Sequence, residues 1–122
     1  MATYLDHLNQ TPYTIEPGQP VEIVPFQPRY AEAFARCYHQ VYRDTFPMKY
    51  VYEPDQVCAA VARGDLLSFL AVTPRGEVVG LTSAFHFGPN RRAWEVGGTM
   101  VIEAYRKGDI ARPLIEQMLG GC

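Results

Sequence analysis

The sequence predicts an α/β domain of the α+β kind, with a mixed, mostly antiparallel sheet and the element order β-α-α-β-β-β-α. Three observations carry this. At 122 residues and 48% hydrophobic, the chain is long enough for one domain with a real core and too short for two of ordinary size. Apolar residues recur at helical spacing in some segments and at strand spacing in others. The strand-like runs of the second half are separated by short, glycine-containing turns, which is how antiparallel neighbours are joined.

Residues 1–20 are polar and punctuated by Pro12, Pro17, Gly18 and Pro20, so they read as an N-terminal arm or short hairpin outside the core. The domain proper is then 21–122. VEIVPF (Val21–Phe26) alternates apolar and polar residues as strand β1, and Pro28 marks the opening turn of a helix. From Tyr30, the residues Phe34, Cys37, Tyr38 and Val41 fall on one helical face, with Glu32, Arg36 and His39 on the other, until about Arg43. Asp44–Pro54 has aromatic residues without a period and reads as a loop of the kind that covers binding sites. Pro54 opens a second helix with Val57, Ala60 and Val61 inward, and Gly64 stops it. LLSFLAVTP (Leu66–Pro74) is a buried-type strand β2, Arg75-Gly76 a turn, and EVVGLTSAFHF (Glu77–Phe87) the returning strand β3. GPNRR (Gly88–Arg92) turns again, AWEVGGTMVIE (Ala93–Glu103) is β4, and Ile110–Leu119 is the closing helix.

Eleven basic against thirteen acidic residues give a formal charge of -2, which leaves no basic excess for a polyphosphate backbone and argues against nucleic acid as the partner. Any anion site must be local. Cys37, Cys58 and Cys122 match no zinc or disulfide spacing, so no metal is expected and reduced thiols in a cytoplasmic protein fit best. MATYLDHLNQ has neither a basic leader nor an apolar signal region, and no apolar run approaches the roughly 18 residues of a membrane span, so no membrane partner is expected.

One stretch points to a ligand. TMVI (Thr99–Ile102) passes through YRKGD (Tyr105–Asp109) directly into a helix. Amides at a helix N-terminus lack intrahelical partners and the helix dipole adds positive charge there, so strand, basic turn and helix can cradle a phosphate. Any strand-to-helix connection also needs a glycine or a cap, and that reading stays open.

This order, with GEVVG (Gly76–Gly80) in the hairpin and TMVIEAYRKGDIARPLIE (Thr99–Glu116) after it, resembles the GNAT superfamily of acetyl-CoA-dependent N-acyltransferases over about residues 21–119. The resemblance implies acetyl-CoA as co-substrate and a primary amine, small molecule or peptide, as acceptor. It implies that main-chain groups of Thr99, Met100 and Val101 hold the pantetheine arm. In the family's pyrophosphate loop, Arg/Gln-x-x-Gly-x-Gly/Ala, Arg106 fills the first position and Ala111 the last, with Lys107, Gly108, Asp109 and Ile110 between them. The family's glycine position holds Asp109, and Gly108 lies one residue earlier. A carboxylate a few ångströms from a phosphate costs on the order of 1 to 4 kcal/mol. Either Gly108 takes over the turn, or the Asp109 side chain partly fills the cradle as an N-cap.

Glu95 stands on β4 where many members of the family place the base that deprotonates the amine; an ordinary polar strand residue is the plain alternative. His86 on β3 is a second, weaker candidate. Arg91 and Arg92 read as a hydrophilic turn, Cys37 and Cys58 as packing, and Tyr105 as an anchor of its turn. Trp94 fits core or acceptor pocket equally. The family fold continues past the closing helix with a fifth strand and further elements. Their lack here leaves an apolar β4 edge that needs cover. A fragment, a homodimer covering that edge and a degenerate half-domain are all consistent with this, as is a non-catalytic module for coenzyme A sensing or association.

Overall fold

The computed structural model of the chain describes residues 3–10, 15–43, 45–46, 49–86, 94–106, 108 and 110–120. Its elements are α1 (Tyr4–Gln10), β1 (Glu22–Pro25), α2 (Ala31–Tyr42), α3 (Pro54–Arg63), β2 (Leu66–Val72), β3 (Val78–His86), β4 (Trp94–Val101) and α4 (Ala111–Gly120), with single 3₁₀ turns at Pro28–Tyr30, Lys49–Tyr52 and Glu103–Tyr105. The strands form one four-stranded sheet in the order β1-β2-β3-β4, antiparallel at every pairing. The predicted class and the order of elements from β1 onward hold.

The first departure from expectation lies before β1, where a helix replaces the expected arm or hairpin and contributes to the core. Leu8 and Ile15 are both buried in the main apolar cluster. Helix α1 is held by two caps. Thr3 and Asp6 exchange hydrogen bonds, Thr3 N–H to Asp6 Oδ2 at 3.0 Å and Asp6 N–H to Thr3 Oγ1 at 3.1 Å, which is a capping-box arrangement. The Glu53 carboxylate then accepts the Tyr4 and Leu5 amides at 3.1 and 3.3 Å from across the fold.

Helix α2 ends on Arg43, a non-glycine residue with φ 57°, whereas α3 follows the proline and glycine rules. Pro54 sits in the first turn of α3 and Gly64 at its C-cap with φ 80°, a left-handed position that a side chain would strain. The loop between these helices is less open than its sequence suggests, because Val51 and Tyr52 in its 3₁₀ turn are fully buried.

Alternation along β3 assigns the two faces of the sheet. Leu81, Ser83 and Phe85 point toward α2, since the Tyr38 hydroxyl of α2 donates to Ser83 Oγ at 3.3 Å and Phe85 meets the rings of Phe46 and Tyr50. Gly80 and Thr82 point the other way. A Cβ on Gly80 would lie 3.1 Å from the Met100 carbonyl oxygen, 3.3 Å from Val101 Cγ2 and 3.4 Å from Ile110 Cγ2, so glycine here lets β4 and the start of α4 close on the sheet. Helices α2 and α3 therefore cover one face and α4 the other.

Strand β4 is shorter than predicted at its C-terminal end. Ile102 N–H still bonds the Val79 carbonyl at 2.9 Å, but Tyr105 N–H then turns back to the Ile102 carbonyl at 2.9 Å and ends the extended run. Inside the strand the register slips: Ser83 pairs with Gly98 and Ala84 with Val96, which leaves Gly97 as the extra residue of a β-bulge.

Candidate functional site

The residues that the sequence singles out fall at two positions along β4 and beyond it. Thr99, Met100 and Val101 pair with Thr82, Leu81 and Gly80 at the C-terminal end of the strand. Thr99 is half-buried and its hydroxyl donates to Thr82 Oγ1 at 3.0 Å on the α4 face, while Met100 is buried on the α2 face. These side chains are spoken for by the two layers, which leaves main-chain groups as what the strand end offers a ligand. Glu95 pairs with Phe85 at the other end of β4, beyond the bulge, and His86 pairs with Trp94. Four residue steps separate Glu95 from Thr99, about 13 Å in an extended strand and less with a bulge between.

The turn from Ile102 to Ala111 brings Arg106 back onto the strand, where its Nε–H donates to the Val101 carbonyl at 2.9 Å. Arg106 is exposed and Gly108 is exposed, whereas Ile110 is buried against Gly80 and Ala111 opens α4. Lys107 and Asp109 lie outside the described residues, as do Arg91, Arg92 and Cys122.

The amides of this turn decide what it can bind. Arg106 N–H bonds the Glu103 carbonyl at 3.2 Å, Gly108 N–H the Tyr105 carbonyl at 3.2 Å, and Ile110 N–H the Gly108 carbonyl at 2.9 Å. Leu114 N–H reaches the Ile110 carbonyl at 3.3 Å, the first bond of α4. Ala111 and Arg112 stand in the first helical turn, where geometry provides no intrahelical acceptor, and Pro113 has no N–H. Arg112 itself pairs with Glu116 at 3.2 Å along the exposed side of α4.

Gly108 is informative in a different way. Its φ is outside the left-handed range, and among the described residues, its chain neighbours aside, a Cβ there would meet nothing closer than the Tyr105 carbonyl oxygen at 3.6 Å, an ordinary contact. Neither its φ nor its packing against the described residues calls for glycine. The missing side chain leaves the main chain open to close approach there.

Elsewhere, an open hollow of about 420 Å³ lies beside β1, lined by Val21, Glu22, Val24, Arg29, Tyr30 and Pro74 among others, and among the described residues none expected from the sequence to bind or react lines it. Burial pushes the Cys37 thiol up to about 12, so it stays protonated and serves packing, as expected; Cys58 is half-buried. Among the described residues no helix is long and apolar enough to cross a membrane.

Sequence reasoning did not find the bulge, although the paired glycines Gly97 and Gly98 inside a strand pattern are its usual signal. It also did not find the polar trio under the sheet. Ser68 Oγ bonds the Thr82 carbonyl at 2.9 Å and lies 3.1 Å from Ser83 Oγ, which in turn accepts the Tyr38 hydroxyl, so three buried side chains satisfy one another beside the bulge.

No protein-family model and no curated protein sequence matches the chain. Solved structures do match. A GNAT family acetyltransferase from Brucella melitensis, in complex with acetyl-CoA, superposes with a TM-score of 0.62 at 21% identity over 85% of this chain and 69% of its own. The GNAT family N-acetyltransferase YhbS from Escherichia coli, in complex with CoA, gives 0.61 at 20% identity over 89% and 59%. An acetyltransferase from Trypanosoma brucei gives 0.61 at 16% identity over 82% and 72%. The chain thus spans between 59% and 72% of the length of these three structures. Over the part of the architecture that it spans, with its antiparallel sheet, its helices on both faces and its strand-turn-helix after β4, this chain has the fold of the GNAT acetyltransferases.

Proposed function

We propose that the chain binds acetyl-CoA along β4 and at the Ile102–Ala111 turn, and transfers its acetyl group to a primary amine. The observation that carries this reading is the exposed Gly108, a glycine that neither its φ nor its packing against the described residues requires, beside Arg106 and the opening turn of α4. Arg106 holds the turn to Val101 by one nitrogen and keeps the rest of its guanidinium for phosphate oxygens, to which it is suited in charge and geometry. Lys107 adds a second cation. Main-chain groups of Thr99, Met100 and Val101 align the pantetheine arm along the strand. Glu95, farther up β4, takes the proton from the acceptor ammonium. The freed amine attacks the thioester carbonyl, main-chain donors of β4 stabilise the oxyanion, and the C–S bond breaks to release coenzyme A, which leaves as the thiol once protonated. The fold likeness to structures holding CoA and acetyl-CoA supports the class of co-substrate.

A specific observation favours a second reading, a non-catalytic module of the same fold. The amides of Arg106, Gly108 and Ile110 are already bonded within the turn, so among the described residues only those of Ala111 and Arg112 are left to a diphosphate unless those bonds are displaced.

Titration calorimetry with coenzyme A separates the two. The enzyme reading expects saturable binding that weakens about tenfold in Arg106→Ala, the order of one hydrogen bond to a charged group, and strengthens in Asp109→Gly. It also expects acetyl transfer to at least one of a panel of small amines, peptide N-termini, lysine side chains and amino-sugar antibiotics. Glu95→Gln should abolish transfer while leaving coenzyme binding intact. Absence of binding in the parent chain and in both turn variants leaves the module.

A further inference from the structure

The segment before β1 and the turn after β4 meet at a single oxygen atom. Pro17 and Gly18 form a turn in which Gly18 has φ 80°. Proline followed by a left-handed glycine is the residue pattern of a type II turn running from Glu16 to Gln19, a turn often closed by a hydrogen bond from the last N–H to the first carbonyl. Among the described residues no main-chain bond of full geometry closes this one. The Tyr105 hydroxyl stands in its place: it donates to the Glu16 carbonyl and accepts the Gln19 N–H at 3.2 Å. Phenol oxygen and turn fit each other as donor and acceptor on both sides, across 89 and 86 positions of sequence.

Tyr105 is equally fixed at its main chain. It closes the Glu103–Tyr105 turn by bonding the Ile102 carbonyl, and its own carbonyl accepts the Gly108 N–H. Arg106 follows directly, and its backbone conformation at φ -67° and ψ -21° sends its side chain back toward Val101. With a buried ring, a doubly bonded hydroxyl and a bonded main chain, Tyr105 has no freedom left, and neither has the start of the turn it belongs to. The Glu16 side chain adds only a weak tie to this turn, an ion pair with Arg75 at 3.4 Å between side chains more than half exposed.

We propose that Tyr105 is a positioning residue for the coenzyme's diphosphate: its hydroxyl, clasped by the Glu16–Gln19 turn, fixes the place from which Arg106 and Gly108 meet the phosphates. The proposal rests on the coenzyme reading above and adds residues 16–19 to that site as its outer support. A positioning role predicts an effect confined to the diphosphate end of the ligand, whereas a purely structural role predicts loss over the whole molecule.

The test uses the full chain, Tyr105→Phe, and Gly18→Ala, which strains the clasp from its other side. Among the described residues a Cβ on Gly18 would meet nothing within 4 Å, so the strain falls on its own backbone. Hydrogen exchange without ligand should rise in both variants at the amides of Tyr105, Arg106, Gly108 and Ile110, while the β2–β3 ladder stays protected. Unchanged exchange in that turn in both variants overturns the proposal. Exchange raised throughout the ladder by Tyr105→Phe makes Gly18→Ala the deciding variant. In calorimetry, coenzyme A should bind about fivefold more weakly to either variant, the order of one net hydrogen bond, and pantetheine, which lacks the diphosphate, should be unaffected. Equal losses for both ligands, or none for coenzyme A, overturn it. A parent chain that binds no coenzyme A sinks the coenzyme reading, and the exchange measurement then still decides whether the clasp orders the turn.

Discussion

The two faces of the sheet are built on different terms. Under α2, Leu81, Ser83 and Phe85 are at most 1% exposed, and the rings of Phe26, Phe34, Tyr38 and Phe46 follow one another at centroid distances of 5.5, 5.1 and 4.7 Å. Even the polar groups there are satisfied from within, through Tyr38, Ser83 and Ser68. At the C-terminal end of β4, Thr99 and Val101 are half-buried, Arg106 and Gly108 are exposed, and the turn is anchored both by the buried Ile102, Tyr105 and Ile110 and by hydrogen bonds from Tyr105 and Arg106. The first region fixes the fold and leaves little to bind with. The second leaves a guanidinium and an exposed glycine turned outward on a buried footing.

That contrast predicts where stability resides. Phe34→Ala removes a fully buried ring that touches Phe26 and Tyr38, and should cost about 3 to 5 kcal/mol in a denaturant titration. A loss below about 1 kcal/mol would mean that this face does not dominate the fold. A smaller effect comes from pH. Burial raises the Cys37 thiol from 9.0 to about 12 and the Tyr50 phenol from 10.0 to about 12, and it raises the Tyr38 phenol as well. A folded-state pKa above the unfolded one means that the native state holds its proton more tightly. The stabilisation is complete below the unfolded value and is lost as pH rises through the folded one. Melting temperature should therefore fall between about pH 9 and 12, with Cys37→Ala flattening the first part of the fall. A melting temperature that climbs over that window contradicts the sign.

The packed face was the readable one. Phe34, Cys37, Tyr38 and the alternation of Leu66–Val72 encode their burial in their spacing, because a helix or strand that hides one face must repeat its apolar residues at that period. Helix α1 escaped the same reading. Its seven residues contain little apolar pattern, and it is stabilised by Glu53, a partner no local window contains. The Thr3-x-x-Asp6 box is in the sequence as a local sign of a helix start, and a reading of residues 1–20 from their prolines and polarity passes over it. At the candidate site, the strand, the turn and the helix were legible as a succession, since glycine and proline mark their joins. The closing of Glu16–Gln19 by Tyr105 was not, because a hydrogen bond between distant segments leaves no periodic trace. The internal bonding of the turn amides is hidden for a related reason: a motif names residues, whereas amide direction depends on backbone angles.

The smallest expected effect on stability is the most discriminating for the site. Gly108→Ala adds a methyl group to an exposed position where, among the described residues and its chain neighbours aside, the nearest atom is 3.6 Å away and φ is outside the left-handed range. Its cost to the fold should stay within about 0.5 kcal/mol, as for a surface substitution that breaks no contact. The same methyl stands where a phosphate oxygen must approach the main chain if the turn is a cradle. Coenzyme A affinity should then fall several-fold while the melting curve stays in place. A variant that melts like the parent and binds coenzyme A like the parent would remove Gly108 from the site, and with it the feature that sets this turn apart from an ordinary strand-to-helix connection. A variant that loses stability instead would show that the turn needs glycine for itself, and the packed and open regions of the molecule would differ less than their burial suggests.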